Sequence, residues 1–323
     1  MKRVVCHIML LSIAFAVAGC GQRSDDKSVA MKSTTTDDST ATENPAETRV
    51  SSPHPIETLG GSVRLDDSGK VIVVQLRDEK ATDDAAKLLD GLDALKDLQL
   101  TGVAVTDAAI DHIIGLKKLK VLKLDTTGVG DAGLAKLGAM ESLEQLYLSG
   151  TKITDVGIKQ LGSLPRLRLL RLSNTRITGA GMSHLASAAG LSNLDISKTS
   201  VDDSGLAALK KVATLTDLNL YTTPVTDAGL QHVQTMTQLT WLNLDNTKIT
   251  DAGLPNLKSL VNLEFLHLGR TPVTDEGVKN LFGLKKLKRL EVTNTQVSEE
   301  MADQLREALP GCEILSGVTD KKS

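Results

Sequence analysis

The chain repeats itself every 24 residues, without insertion or deletion, from residue 98 to about residue 313. One leucine series is unbroken: Leu98, Leu122, Leu146, Leu170, Leu194, Leu218, Leu242, Leu266 and Leu290. Two residues later stand Leu100, Leu124, Leu148, Leu172, Ile196, Leu220, Leu244, Leu268 and Val292, and three residues before it run the leucines from Leu95 to Leu287. The unit is L-x-x-L-x-L-x-x-T-x-[VI]-T-D-x-G-L-x-x-L. Such a unit owns one apolar stripe and nothing to cover it, so it becomes stable only by stacking on its neighbours.

Each L-x-L, such as Leu146-Tyr147-Leu148, alternates as a short strand does, and stacked units place these strands in a parallel sheet at a spacing of about 4.8 Å. Later in each unit apolar residues recur at helical spacing, as in Ile110, Ile113 and Leu116, or Leu254, Leu257 and Leu260. The expectation is an α/β solenoid of about ten units, an arc with its strands on the concave side and its wider helices on the convex side. Residues 61–76 form strand, turn and strand, a hairpin closing the amino end, with Val74 and Leu76 as the first, divergent repeat strand. The repeat domain then covers 74–313. Its last unit degrades at Val292 and the polar stretch 298–306, leaving 314–323 as a tail.

Threonine fills one offset in eight successive units: Thr127, Thr151, Thr175, Thr199, Thr223, Thr247, Thr271 and Thr295. Eight equivalent copies argue against one catalytic copy, and a hydroxyl there is suited to satisfying backbone groups in the turn after each strand. The pairs Thr106-Asp107, Thr154-Asp155, Thr226-Asp227, Thr250-Asp251 and Thr274-Asp275 fit helix N-caps followed by an acid at the positive end of the helix dipole. The recurring glycine (Gly133, Gly157, Gly181, Gly205, Gly229, Gly253, Gly277) lets each helix approach the preceding loop.

At the amino end, Lys2-Arg3, the apolar run 4–17 and Val17-Ala18-Gly19 before Cys20 follow the plan of a secretory signal over residues 1–19, and the run is short for a transmembrane span. Val17-Ala18-Gly19-Cys20 resembles the lipobox of bacterial lipoproteins, in which the cysteine is lipidated and becomes the first mature residue. Residues 20–60 then read as a disordered tether: positions 21–60 hold thirteen Ser or Thr, seven acids and no aromatic, too little apolar area to offset the cost of ordering. As a random coil, such a tether spans roughly 35 Å. Cleavage would remove two of the 37 basic residues and leave 35 against 40 acids, a mildly acidic balance that excludes general nucleic-acid binding. With Cys6 removed and Cys20 lipidated, Cys312 remains alone and no internal disulfide forms.

The I-T-D-x-G-L units from about residue 71 to 313 resemble the cysteine-containing and ribonuclease-inhibitor-like leucine-rich repeats, a class also found in F-box proteins. Threonine replaces the ladder cysteine, and no F-box segment precedes the repeats. The resemblance implies a solenoid that binds partners, and with the lipobox it implies a bacterial leucine-rich-repeat lipoprotein. Gly21 in place of an aspartate implies the outer rather than the inner membrane.

The solvent-facing strand positions make three columns of changing chemistry. Ahead of the first leucine stand Asp97, Val121, Gln145, Leu169, Asn193, Asp217, Trp241, Phe265 and Arg289; between the leucines, Gln99, Lys123, Tyr147, Arg171, Asp195, Asn219, Asn243, His267 and Glu291. The third holds Thr101, Asp125, Ser149, Ser173, Ser197, Tyr221, Asp245, Gly269 and Thr293. Of six aromatics, Phe15 belongs to the signal and only Phe282 among the rest lies outside these columns. Rings on a polar face are candidate anchors for a protein or peptide partner, so Tyr147, Arg171, Tyr221, Trp241, Phe265 and His267 are the candidate contact residues. His112, His184 and His232 share a helical offset but stand two and three repeats apart, too far to share a metal. No phosphate loop, metal-spaced Cys/His set or nucleophile motif appears, so no cofactor and no enzymatic activity is expected. The function expected is a lipid-anchored, non-enzymatic protein-binding scaffold of the cell envelope. The alternatives are an envelope-structural or adhesion protein and, on the acids Asp195, Asp217 and Asp245, carbohydrate binding or hydrolysis.

Overall fold

The computed structural model describes residues 53–318, so the signal, Cys20 and the tether up to residue 52 lie outside the described residues. Twelve strands form one sheet in chain order. They are β1 (Ser62–Leu65), β2 (Val71–Arg77), β3 (Asp97–Thr101), β4 (Val121–Lys123), β5 (Gln145–Tyr147), β6 (Leu169–Arg171), β7 (Asn193–Asp195), β8 (Asp217–Asn219), β9 (Trp241–Asn243), β10 (Phe265–His267), β11 (Arg289–Glu291) and β12 (Glu313–Leu315). β1 and β2 pair antiparallel, and every later neighbour pairs parallel. Register sets leucine beside leucine, Leu98 against Leu122, Leu218 against Leu242 and Leu242 against Leu266. All five are at most 1 % exposed. Each such burial contributes up to about 1.5–3 kcal/mol, and repetition turns it into one continuous core. The return segments carry one- or two-turn α-helices and 3-10 turns, such as Asp131–Leu137, Asp155–Ile158 and Asp227–Val233. The fold is an α/β leucine-rich-repeat solenoid.

Both ends of the described region differ from their sequence assignment. Residues 53–60, placed in the tether, hold a helical turn, Pro55–Thr58, capped by His54, with Ile56 wholly buried. One apolar side chain seals the end of the core there, which composition averaged over forty residues conceals. Residues 313–315, split between the repeat domain and the tail, form β12 against β11, and Ile314 extends the leucine ladder at 7 % exposure. The helix Glu299–Ala308, capped by Ser298, buries Met301, Ala302 and Leu305 beside this edge.

The threonine column is a hydrogen-bond ladder. In all eight copies Oγ1 donates to the carbonyl three residues earlier, for example Thr127 to Leu124 at 2.7 Å and Thr247 to Leu244 at 2.6 Å. The aspartate at the first helical position of the unit does more than favour a helix dipole. Asp131 accepts from the backbone N–H of Thr154 (2.8 Å), from its hydroxyl (2.6 Å) and from the N–H of Gly157 (3.1 Å), all in the next unit. The same rung recurs between Asp83 and Thr106, Asp155 and Thr178, Asp203 and Thr226, Asp227 and Thr250, and Asp251 and Thr274. The helices are too short to sum a large dipole, whereas a carboxylate one coil away satisfies two or three orphan donors at once.

Candidate functional site

In strands β4 to β11 the central leucine is buried and the two flanking residues stay partly open on the side away from the helices. The first two columns therefore lie on this face, aligned strand to strand. The third is mixed: Thr101, Asp125, Ser149, Ser173, Tyr221 and Thr293 are partly open, whereas Ser197, Asp245 and Gly269 are buried. The next residue in each unit adopts a left-handed conformation, as at Asn174 (φ 55°), Asn246 (φ 55°), Arg270 (φ 52°) and Gly150 (φ 70°), and turns the chain over that column. Its N–H donates to the next unit, Asn246 to Gly269 at 2.9 Å and Arg270 to Thr293 at 3.0 Å, which holds non-glycine residues in this uncommon region.

Trp241 and Phe265, paired in register on β9 and β10, stack with ring centroids 4.8 Å apart and 5° between planes. His267, two residues beyond Phe265, meets that ring edge-on at 6.4 Å. Its Nε2 lies 3.8 Å from Asp245 and 3.3 Å from Glu291. Burial pushes the His267 pKa below its usual value and outweighs the opposite pull of the two carboxylates, with Arg270 and Arg289 adding to the depression. Arg270 holds Asp245 through two hydrogen bonds, Nε at 2.8 Å and Nη2, so Asp245 is no free acid. The Arg270 guanidinium also lies 5.1 Å from the Tyr221 ring centroid, and Lys198 stands 5.6 Å from it. The Tyr221 hydroxyl is shifted below its usual pKa, first by the Thr222 side chain and then by Arg270, against the effect of burial. Arg289 pairs with Glu291 (2.8 Å) and Glu313 (3.4 Å) and closes the network at the carboxyl edge.

Tyr147 and Arg171 form a separate group. The Arg171 guanidinium sits 5.1 Å and Lys123 5.5 Å from the Tyr147 ring centroid, and the Tyr147 hydroxyl donates to Gln145 at 3.1 Å. Burial raises the Tyr147 pKa, with Arg171 opposing. Between the two groups lies a recess of about 230 Å³ lined by Arg171, Asn193, Asp195, Asp217, Asn219 and Trp241. Six candidate residues thus fall into two clusters with a polar hollow between them, and Tyr221 reaches the second cluster only through Arg270 and Asp245. Sequence reasoning missed Arg270 and Lys198, and placed Lys123 on the face without marking it as a contact. Asn174, Asn246, Asn294 and Gly150 at a shared offset are the one signal of the left-handed turn that brings Arg270 over Tyr221.

Among the described residues no group of three or more His, Cys, Asp or Glu is placed to hold a metal ion, and His112 bonds to Asp90 at 2.9 Å. No helix among them is long and apolar enough to cross a membrane. The Cys312 thiol is pushed up to about 11, by burial first and Glu313 second, and is therefore a poor nucleophile at neutral pH.

Comparison with known proteins points to the same class. A family model described as Leucine Rich repeat matches residues 139–162 and 259–282, two stretches of one repeat length each. The fold is similar to that of an internalin (inlF) from Listeria monocytogenes, at 17 % identity and a TM-score of 0.55, over 79 % of this chain and 86 % of the other. It is likewise similar to internalin C2 (inlC2) from the same organism, at 20 % identity and a TM-score of 0.51, over 74 % of this chain and 92 % of the other. No curated protein matches the sequence.

Proposed function

We propose that this protein is a non-enzymatic scaffold that binds a protein or peptide on the open face of its sheet, anchored around Trp241 and Phe265, and that lipid on Cys20 holds it in a bacterial cell envelope, at the outer membrane. The observation that carries the binding reading is the stacked, partly open Trp241–Phe265 pair on a face whose other residues, Val121, Leu169 and Tyr147 apart, are polar. A buried ladder of leucines needs no rings on its solvent side, and aromatic side chains contribute large contact area at small entropic cost when a partner covers them. Leucine-rich-repeat solenoids in general act as protein-binding scaffolds, which supports the reading at the level of class. The anchor rests on the lipobox-like Val17-Ala18-Gly19-Cys20 and the polar stretch after it.

Cross-linking and affinity capture from native envelopes test the binding, comparing the intact protein with Trp241→Glu, Phe265→Glu. A partner retained by the variant at unchanged yield removes the proposal. The anchor is tested separately: Cys20→Ala is expected to abolish incorporation of radiolabelled palmitate and to release the protein from the membrane fraction. Palmitate labelling that survives Cys20→Ala refutes it.

A further inference from the structure

We infer that the recess between β6 and β9 receives a cationic side chain, a guanidinium or ammonium group of the peptide ligand, laid against Trp241 and between the carboxylates of Asp195 and Asp217. The inference deepens the binding reading above and rests on it.

The sheet face deals with its charges in two ways. From β9 to β12 the carboxylates along the sheet are matched within the chain: Asp245, buried, by Arg270, and Glu291 and Glu313 by Arg289. In the recess neither acid is matched. Asp195 accepts only the N–H of Ser197 (3.0 Å) and Asp217 only the hydroxyl of Thr216 (2.6 Å), and among the described residues neither forms an ion pair. One oxygen of each carboxylate is therefore left for a ligand. The one cation lining the recess, Arg171, is the direct register neighbour of Asp195 on β6, yet its guanidinium lies over the Tyr147 ring instead. The hollow thus holds two carboxylates without an ion-pair partner on adjacent strands, against one cation in its wall, Arg171, and the carboxylates sit diagonally, because Asp217 is in register with Asn193 and Asp195 with Asn219.

The other walls fit the same guest. Trp241 stands in register beside Asp217 and offers the aromatic that attracts a cation most strongly, worth about 0.5–2 kcal/mol depending on desolvation. The carboxamides of Asn193 and Asn219 line the same hollow and supply acceptor oxygens for the remaining N–H donors of a guanidinium. A volume of about 230 Å³ accommodates one long side chain end-on, not a folded domain. An anionic ligand is disfavoured by both carboxylates. A neutral sugar finds an aromatic wall and polar groups here as well, but it leaves the two charges uncompensated, which makes it the competing occupant rather than the favoured one.

Trp241 is the only tryptophan in the chain, so tryptophan emission reports on this recess and on the Phe265 ring stacked beside it. The probe is a capped pentapeptide of glycines with one central arginine, titrated into the full chain at constant ionic strength. The controls are the same peptide with citrulline, which keeps the shape and removes the charge, and a neutral disaccharide. A saturable change in Trp241 emission is expected with the arginine peptide. The citrulline peptide is expected to bind at least fivefold more weakly, and the Asp195→Asn, Asp217→Asn variant to lose at least fivefold in affinity for the arginine peptide while Lys258→Gln, on an exposed return segment, does not. Equal response to arginine and citrulline, an effect of the disaccharide alone, or full affinity in the double Asn variant overturns the inference. Capture of an envelope partner that needs Trp241 and Phe265 but not the two aspartates also overturns it and leaves the docking surface standing. Loss of neither partner nor peptide on changing Trp241 and Phe265 removes the binding reading itself.

Discussion

At the scale of single residues, positions that look alike in the repeat work by different means. The recurrent glycine is not required for its backbone freedom: Gly157 lies in a helix at an ordinary conformation, yet a Cβ there would stand 2.5 Å from Asp131 Oδ1 and 3.1 Å from Leu134 Cδ2. The glycine makes room for the carboxylate of the unit before it. Replacing an exposed helical glycine by alanine ordinarily stabilises, but here Gly157→Ala is expected to cost about 1–3 kcal/mol in urea unfolding, because the carboxylate must be displaced from its three donors. Adding Asp131→Ala to Gly157→Ala is expected to cost less than the sum of the two single changes, the mark of a shared contact. The motif was legible as letters. That a glycine serves an aspartate 26 residues earlier was not, since only stacking makes them neighbours.

At the scale of elements, each strand contributes three residues and its meaning comes from the strand beside it. β10 brings Phe265 to Trp241 of β9 and His267 to Glu291 of β11. His267 is faced by Asp245 and Glu291 and flanked by Arg270 and Arg289, and its net shift is downward, with burial as the leading cause. In the unfolded chain the ring takes up a proton near pH 6.5, and in the folded chain only at lower pH. Between those two values the unfolded state binds more protons, so stability contributed by this site falls as pH drops below about 6.5 and returns as pH rises. His267→Gln is expected to flatten that part of the stability–pH profile, measured by urea midpoints at successive pH values. A profile unchanged by the substitution counts against the assigned shift. The two aromatic columns were visible in the sequence because strand alternation is a period of two. The third column was read as open throughout, and at Ser197, Asp245 and Gly269 it is buried; the left-handed residue after it, occupied by Thr, Lys and Arg as well as Asn and Gly, carries no reliable signature of where that happens.

At the scale of the molecule, stability is a sum of units and of the joints between neighbours. Asp107 meets Gly130 (2.7 Å) and Asp275 meets Ser298 in place of threonine, but one joint lacks the aspartate itself. Where the pattern calls for aspartate the chain has Gly179, and where it calls for threonine it has Asp202, which turns back to accept from Ser204 (2.5 Å). A Cβ at Gly179 would collide with Asp202 and Ser204, so the aspartate cannot be restored alone. The triple change Gly179→Asp, Asp202→Thr, Ser204→Ala rebuilds the local pattern and is expected to raise stability by about 1–2 kcal/mol, the worth of one charge-assisted rung. In the unaltered protein the amides of the helix Asp203–Leu209 are expected to exchange faster with deuterium than those of Asp227–Val233, whose cap Thr226 is tied to Asp203. Equal exchange in the two helices refutes the weak joint.

The 24-residue period by itself determined the architecture, because a chain that offers leucine, isoleucine or valine at the same three offsets nine times has one way to bury them all, and it also determined that the first two columns face solvent along β4 to β11. Tertiary structure alone decided how those columns are used. Whether Asp245 is an open acid or a pinned one depends on where the left-handed turn throws Arg270, whether Asp195 is paired depends on Arg171 choosing a ring over a carboxylate, and both choices are made between residues 24 or more apart in the chain. Local pattern records which side of a strand a residue occupies; the partner it meets there is set by the coil stacked next to it.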